Sequence, residues 1–411
     1  MTQPTAPHRH TRPGGSWPSL RGLLDDLGPT QAANGLVALI FAATGPVAVI
    51  LAVGTAGGLS RVEISSWIFA VFFLNGLLTI VASWAYRQPL SFFWTIPGTV
   101  VVGKSLDHLT WPEVLGAFLV TGAVIAVLGL TGWVGRAMAV IPLPLVMAMV
   151  AGVFLRFGTD LVGAVRSDAA IAAPMVLAFV VLSRMRSLGR WMPPVLGALL
   201  VGAAAVGIAG SFSPASGPAL AAPTFQAPVF TTGALLELVV PLAITVLVVQ
   251  NGQGVAVLNQ AGHRPPINVA TVLCGIGSIL SATIGGISSC LTGPTSSLLV
   301  ASGRKERHYA AAVVCGALAL VVGLFAPLFV RLMLATPPAY VATLGGLAML
   351  RALQGAFVAS FAHRFTLGAL VTFLVTITDV TIFNIGGAFW GIVLGLATSW
   401  ILEPADFDDR E

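Results

Sequence analysis

Apolar residues run along this chain in blocks of roughly twenty, the length that carries a helix across a ~30 Å hydrocarbon layer. Fourteen blocks are legible, at 31–53, 64–85, 91–103, 113–132, 139–160, 169–183, 193–210, 232–258, 266–283, 286–302, 308–333, 337–358, 364–380 and 382–402. The pattern predicts an all-α polytopic membrane protein with 14 transmembrane segments. The third and tenth blocks are too short to cross as helix alone. They are expected as half-helices, broken by Pro and Gly.

Comparing the halves reveals a repeat. SFFWTIPGT, starting at Ser91, and SSCLTGPTS, starting at Ser288, share Ser, Thr and Pro in register at an offset of 197. The fifth and twelfth blocks align at an offset of 195, where Pro142 matches Pro337 and Leu155-Arg156 matches Leu350-Arg351. TGPVAVIL from Thr44 is echoed more weakly by NGQGVAVL from Asn251. Seven segments per half is an odd number, so the 7+7 halves must be inverted in the membrane. Inverted repeats with short, Pro/Gly-interrupted segments at matching places point to a secondary transporter.

Charge fixes the expected orientation. Only 9% of the 411 residues are charged and 56% are hydrophobic, which leaves no room for a large aqueous domain. With the N-terminus inside, fourteen Lys/Arg fall on the inner side and four (Arg61, Lys104, Arg166, Arg331) on the outer side. That bias predicts both termini in the cytoplasm of a cell whose inner (plasma) membrane holds the protein. Residues 1–30 read as a cytoplasmic tail, 211–231 as an outer linker rich in Pro and Ala, and 403–411 as an acidic cytoplasmic tail. The +5 net charge sits mostly in short loops and does not suggest nucleic acid.

The two broken segments are the expected substrate site. Facing helix N-termini expose unpaired N–H groups and a positive dipole end to an anion. TIPGT supplies Thr95, Pro97 and Gly98; the tenth block supplies Ser288, Ser289, Thr292, Gly293 and Thr295. The competing structural reading is that these hydroxyls only satisfy backbone carbonyls within membrane helices. The eighth block adds QNGQG, with Gln250, Asn251 and Gln253. Amides at that depth are costly unless they bond something, and the adjacent glycines allow unwinding. An interhelix hydrogen-bond network is the alternative there.

Embedded charges are functional candidates by default. Glu237, four residues before Pro241, is the candidate for proton coupling. Arg156 and Asp160 are expected to pair, Asp107 and Glu113 read as lip residues, and Asp379 lies at the outer end of the thirteenth block. His263, His308 and His363 fall in inner loops, where solvated faces or lipid headgroup contacts are expected. Cys274, Cys290 and Cys315 form no metal or disulfide pattern and read as small buried side chains. No metal site and no cofactor is expected. An intramembrane enzyme should show clustered acids, a ligand set or a Ser/His pair at membrane depth, and the sequence offers none, so a transporter is expected.

One motif points elsewhere. GTVVVGKS, from Gly98, fits the phosphate-loop pattern letter for letter. Its variable positions are Thr-Val-Val-Val, Pro112 follows soon after, and no soluble nucleotide domain exists to hold it. The match is accidental.

VEISSWIFA from Val62, the Arg87 turn followed by FFWTIPG, PLAITVLVVQNGQGVAVLNQAG from Pro241 and FNIGGAFWGIVLG from Phe383 together resemble the benzoate/proton symporter (BenE) family. The resemblance spans about 31–402. It places Trp94, Pro97, Gly98, Gln250, Asn251 and Gly254 in the family's signature elements, while ISSCLTGPTSS replaces the family's Asn-Leu-Ala-Ala-like run. It implies the uracil-permease/sulfate-permease fold, with a core of 31–132 and 232–333 and a gate of 139–210 and 337–402. It also implies elevator-like alternating access, with the site between segments one, three, eight and ten. Phe93, Trp94 and Leu291 would flank an aromatic ring. The expected substrate is a small organic anion, such as benzoate or a related aromatic carboxylate, imported with a proton. The alternative is a purine/pyrimidine or inorganic-anion carrier of the same fold. Fold relatives are often dimers, which leaves a homodimer open.

Overall fold

The computed structural model describes residues 19–134, 142–185, 192, 194–212, 216–301, 303–378, 382 and 387–408. Asp379 lies outside the described residues. A short helix, α1 (Leu20–Asp26), precedes α2 (Pro29–Ala56) and α3 (Arg61–Tyr86). Strand β1 (Phe92–Trp94) then leads into α4 (Ile96–Ser105), followed by α5 (Trp111–Thr131). Next come α6 (Leu143–Ser167), α7 (Ala169–Arg184) and α8 (Pro194–Ile208). The second half opens with α9 (Thr232–Gln260) and α10 (Ile267–Thr283). Strand β2 (Ser289–Leu291) leads into α11 (Gly293–Leu299), then α12 (His308–Leu324) and α13 (Ala326–Leu334). The chain continues through α14 (Pro338–Ser360), α15 (Thr366–Ile377) and α16 (Gly387–Leu402). Among the described residues seven helices are long and apolar enough to cross a membrane, and five more apolar helices run 10–17 residues.

Local chemistry sets the boundaries. Ser60 and Glu63 form a reciprocal capping box that starts α3, and Thr110 and Glu113 do the same for α5. Asp168 accepts the Ile171 N–H and starts α7. Arg87, in the left-handed region at φ 48°, ends α3 and turns the chain toward β1. The eleventh apolar block is not one helix. It breaks at Phe325, and Pro327, tolerated in the first turn of α13, restarts it.

Helices pack in matched pairs. Across the halves α5 lies against α10, and α3 lies against α12. Likewise α2 contacts α12 where α9 contacts α5, and α7–α8 is matched by α15–α16. The α6–α14 pair is the most extensive contact.

At the centre, β1 and β2 form a two-stranded antiparallel ladder, with Phe92 opposite Leu291, Phe93 opposite Cys290 and Trp94 opposite Ser289. The ladder continues at both ends. Thr95 N–H donates to the Ser288 carbonyl at 3.2 Å, and Thr292 N–H to the Ser91 carbonyl at 3.0 Å. Buried strand amides without a sheet neighbour need other acceptors. Thr79 Oγ1 accepts from Phe92 N–H at 2.8 Å, and Ser278 Oγ from Ser289 N–H at 2.9 Å. All of these groups are buried.

Candidate functional site

Beside the ladder lies a small cavity of about 20 Å³. Phe41, Ala42 and Pro46 of α2 form one wall; Phe93, Trp94 and Ile96 form another. Gln250 of α9 and Thr292, Pro294 and Thr295 close it. The two strand–helix units, β1–α4 and β2–α11, therefore meet α2 and α9 here, and each begins its helix at the cavity.

The strand-to-helix turns are fixed differently. Thr95 caps α4 by accepting the Gly98 N–H at 3.1 Å, while its own hydroxyl donates to Thr245 Oγ1 at 2.9 Å. Thr292, the corresponding residue before α11, makes no side-chain cap bond; its hydroxyl lies 3.3 Å from Ser91 Oγ. The first amides of α11 are thus left without a side-chain cap at the cavity wall.

Helix α9 bends into place through a π-helical turn over Thr245–Asn251. Such turns recur at functional sites. Asn251 Oδ1 accepts the Leu291 N–H at 2.8 Å, which staples α9 to β2. Gly254 makes the close approach possible: a Cβ there would stand 2.7 Å from the Leu291 carbonyl oxygen. Gln250 is 4% exposed, and its Oε1 has no hydrogen-bond partner in the protein. The indole N–H of Trp94 is likewise buried and without a partner. Both side chains line the cavity.

The sequence-derived candidates divide accordingly. Gln250, Thr292 and Thr295 line the cavity. Thr95, Pro97, Gly98, Asn251, Ser288, Ser289 and Gly293 are buried around it and shape it without forming its wall. Gln253 is exposed and packs against Gly293 instead. Leu291 is buried but turned to α9, so Phe93 and Trp94 supply the aromatic wall. Phe41, Ala42 and Pro46 carry no distinctive sequence signal apart from Pro46, which sits in the TGP echo of the repeat.

Glu237 lies elsewhere, near the linker end of α9. It is 3% exposed and accepts two hydrogen bonds, from Ser105 Oγ at 2.5 Å and, on its other oxygen, from His108 Nε2 at 2.8 Å. A His–carboxylate pair of this kind can hold or pass one proton. The carboxylate stands between hydroxyl and imidazole, whereas a nucleophile relay needs the base in the middle. One residue before Ser105, Lys104 Nζ donates to the Thr376 carbonyl at 2.9 Å, tying α4 to α15.

The inner histidines depart from expectation. His263 and His308 are 5% and 6% exposed and pair Nε2 to Nδ1 at 3.1 Å. They are not solvated loop side chains, because the turn after α9 folds His263 under the start of α12. His363 is exposed. Arg156 and Asp160 approach to 4.0 Å on an exposed helix face.

Known proteins resemble this chain over nearly its whole length. Residues 25–401 match the family model for BenE, the benzoate membrane transport protein. The inner membrane protein YdcO of Escherichia coli (strain K12) is 29% identical over 374 residues, covering 89% of this chain and 94% of that protein. The benzoate membrane transport protein of Acinetobacter baylyi is 26% identical over 388 residues, covering 93% and 98% respectively. Among solved structures, the transmembrane domain of a cyanobacterial bicarbonate transporter, BicA, superposes with a TM-score of 0.62 at 16% identity, covering 90% of this chain and 97% of that one. The murine Solute Carrier 26 family member A9 anion transporter, inward-facing, gives 0.62 at 12% identity, covering 98% and 77%. Those two likenesses concern the fold. With a family match across its apolar length, the chain is a multi-span membrane transporter and belongs to the BenE benzoate membrane transport family.

Proposed function

We propose that the protein imports a small aromatic carboxylate, of which benzoate is the simplest, together with a proton. The observation that carries this reading is the central cavity. Its aromatic wall of Phe41, Phe93 and Trp94 suits the faces and edges of a ring. Its polar groups (the Gln250 amide, the Thr292 and Thr295 hydroxyls and the uncapped start of α11) suit a carboxylate. At about 20 Å³ the cavity is smaller than one aromatic ring, so core and gate must part to admit the acid. Described by name, the A. baylyi relative is a benzoate transporter, which agrees with this assignment.

In this reading the seven long helices, the five shorter ones and the two strand–helix units make up fourteen crossings. The matched helix pairs and the shared strand register support an inverted repeat. The core comprises 31–132 and 232–333, the gate 139–210 and 337–402, and core moves against gate to alternate access. Both termini are cytoplasmic by the charge bias. Glu237 carries the coupled proton, with His108 and Ser105 as its partners. The test is equilibrium binding to purified protein by a panel of aromatic acids, nucleobases and small oxyanions. Benzoate-class acids should bind, and Gln250→Ala and Trp94→Ala should weaken them. Selective binding of a nucleobase or an oxyanion would replace this substrate class.

A further inference from the structure

A second, larger cavity lies at the opposite end of α3 from Arg87. It has a volume of about 320 Å³, at the lower end of the range of organic-ligand sites. The first turns of α3 and α13 form its floor, and the linker stretch 216–224 forms its roof. That roof is fastened down. Ala221 N–H donates to the Leu324 carbonyl at 2.7 Å, Thr224 N–H to Ser66 Oγ at 3.4 Å, and Gln226 N–H to the Thr283 carbonyl at 3.0 Å.

The lining is chemically one-sided. Val62, Leu220 and Val330 give it apolar walls, while Arg61 and Arg331 bring two guanidinium groups. No carboxylate lines it among the described residues. The nearest acid in sequence, Glu63, is committed to the Ser60 N–H at 2.7 Å. Arg331 donates through Nη1 to the Gly217 carbonyl, which fixes its head against the roof and leaves further N–H donors. Guanidinium pairs beside apolar surface recognise a carboxylate attached to an apolar body.

We propose that this cavity is a second binding site, separate from the central one, for an amphipathic organic monoanion of the aromatic-carboxylate class. It lies at the linker end of the molecule, where Val229 N–H meets the Pro112 carbonyl and Glu237 and His108 also sit. Its role as a capture site for the transported acid rests on the transport reading above; its ligand class rests on its own lining.

Photolabelling with 4-azidobenzoate, followed by peptide mass spectrometry, tests this. The full-length protein in discs of phosphatidylcholine should be labelled in 216–224 or in α13, and excess benzoate should suppress that label. In the Arg61→Gln/Arg331→Gln variant the label should fall at least about tenfold, because two charge-assisted contacts are lost. Labelling at α2 and β1 should persist, which also shows that the variant is folded, and Arg→Lys at both positions should restore part of the loss. Absence of benzoate-suppressible label at the roof, or label unchanged in the double variant, would overturn the proposal. So would loss of the label in phosphatidylglycerol discs, which would make an anionic lipid headgroup the occupant. Loss of labelling at α2 and β1 alone would instead count against the central site and leave this one standing.

Discussion

Phe93 and Cys290 face each other at the middle of the buried ladder and stand 197 positions apart, since 290 − 93 = 197. The same offset carries Phe92 onto Ser289 and Trp94 onto Leu291, so the pair Phe92–Leu291 becomes Ser289–Trp94. It also carries the Thr95–Ser288 bond onto the Thr292–Ser91 bond, while the acceptors of the Phe92 and Ser289 amides, Thr79 and Ser278, stand 199 positions apart, two off that register. The ladder is thus two-fold symmetric about this residue pair. The side chains break it: Thr95 caps its helix and Thr292 does not. The asymmetry leaves the first amides of α11 without a side-chain cap.

The Asn251–Leu291 staple should be stronger in stability than in specificity. Asn251→Ala leaves a buried N–H without an acceptor, at a cost of about 1–3 kcal/mol. Gly254→Ala drives a methyl into the Leu291 carbonyl, with a similar penalty of about 1–3 kcal/mol. Both should lower the thermal midpoint of the purified protein. Gln250→Ala should leave that midpoint nearly unchanged and weaken benzoate binding instead, because its Oε1 bonds nothing in the protein.

Glu237→Gln keeps hydrogen bonding to Ser105 and His108 but removes the titrating carboxyl. Proteoliposomes containing it should lose uptake driven by a pH gradient and retain exchange of internal for external benzoate. His108→Gln should shift the pH profile of uptake rather than abolish it. Loss of exchange in Glu237→Gln would move Glu237 from coupling to structure.

The buried histidine pair predicts acid sensitivity. Burial first, then His308 and Lys305, hold His263 down to about 4 from an ordinary 6.5. Between those values the unfolded chain binds more protons than the folded protein, so stability falls as pH falls through that window and is fully present above it. The thermal midpoint should drop between pH 7 and pH 5, and the slope should flatten in His263→Gln. An unchanged slope would show that other groups set the acid response.

Lys104 supplies a different test. It crosses from α4 to the Thr376 carbonyl of α15, so Lys104→Ala should change the rate of transport. Uptake should stay independent of added ATP in both proteins. A nucleotide requirement that Lys104→Ala removes would revive the phosphate-loop reading of GTVVVGKS.

Much of the frame was legible because apolar run length and Pro/Gly breaks are local signals. TIPGT and LTGPTSS marked the turns that border the cavity. The strands themselves were not legible, since FFW and SCL are only three residues each and carry no alternation. Phe41 was invisible for the opposite reason: one more apolar residue in an apolar helix says nothing about which way it faces. His108 meets Glu237 across 129 positions, and His263 meets His308 across 45. Such pairings depend on helix packing, which no local pattern encodes. The stretch 211–231 read as an outer linker rich in Pro and Ala, yet its described part roofs a cavity, because its bonds run from its backbone to distant helix ends.

The central claim is proton-coupled import of an aromatic carboxylate, and labelled benzoate uptake into proteoliposomes tests it most directly. An inward proton gradient should drive benzoate above its external concentration, and a protonophore should collapse that accumulation in the wild-type protein. Equal uptake with and without the gradient, with permeation of the undissociated acid subtracted using protein-free vesicles, would contradict it.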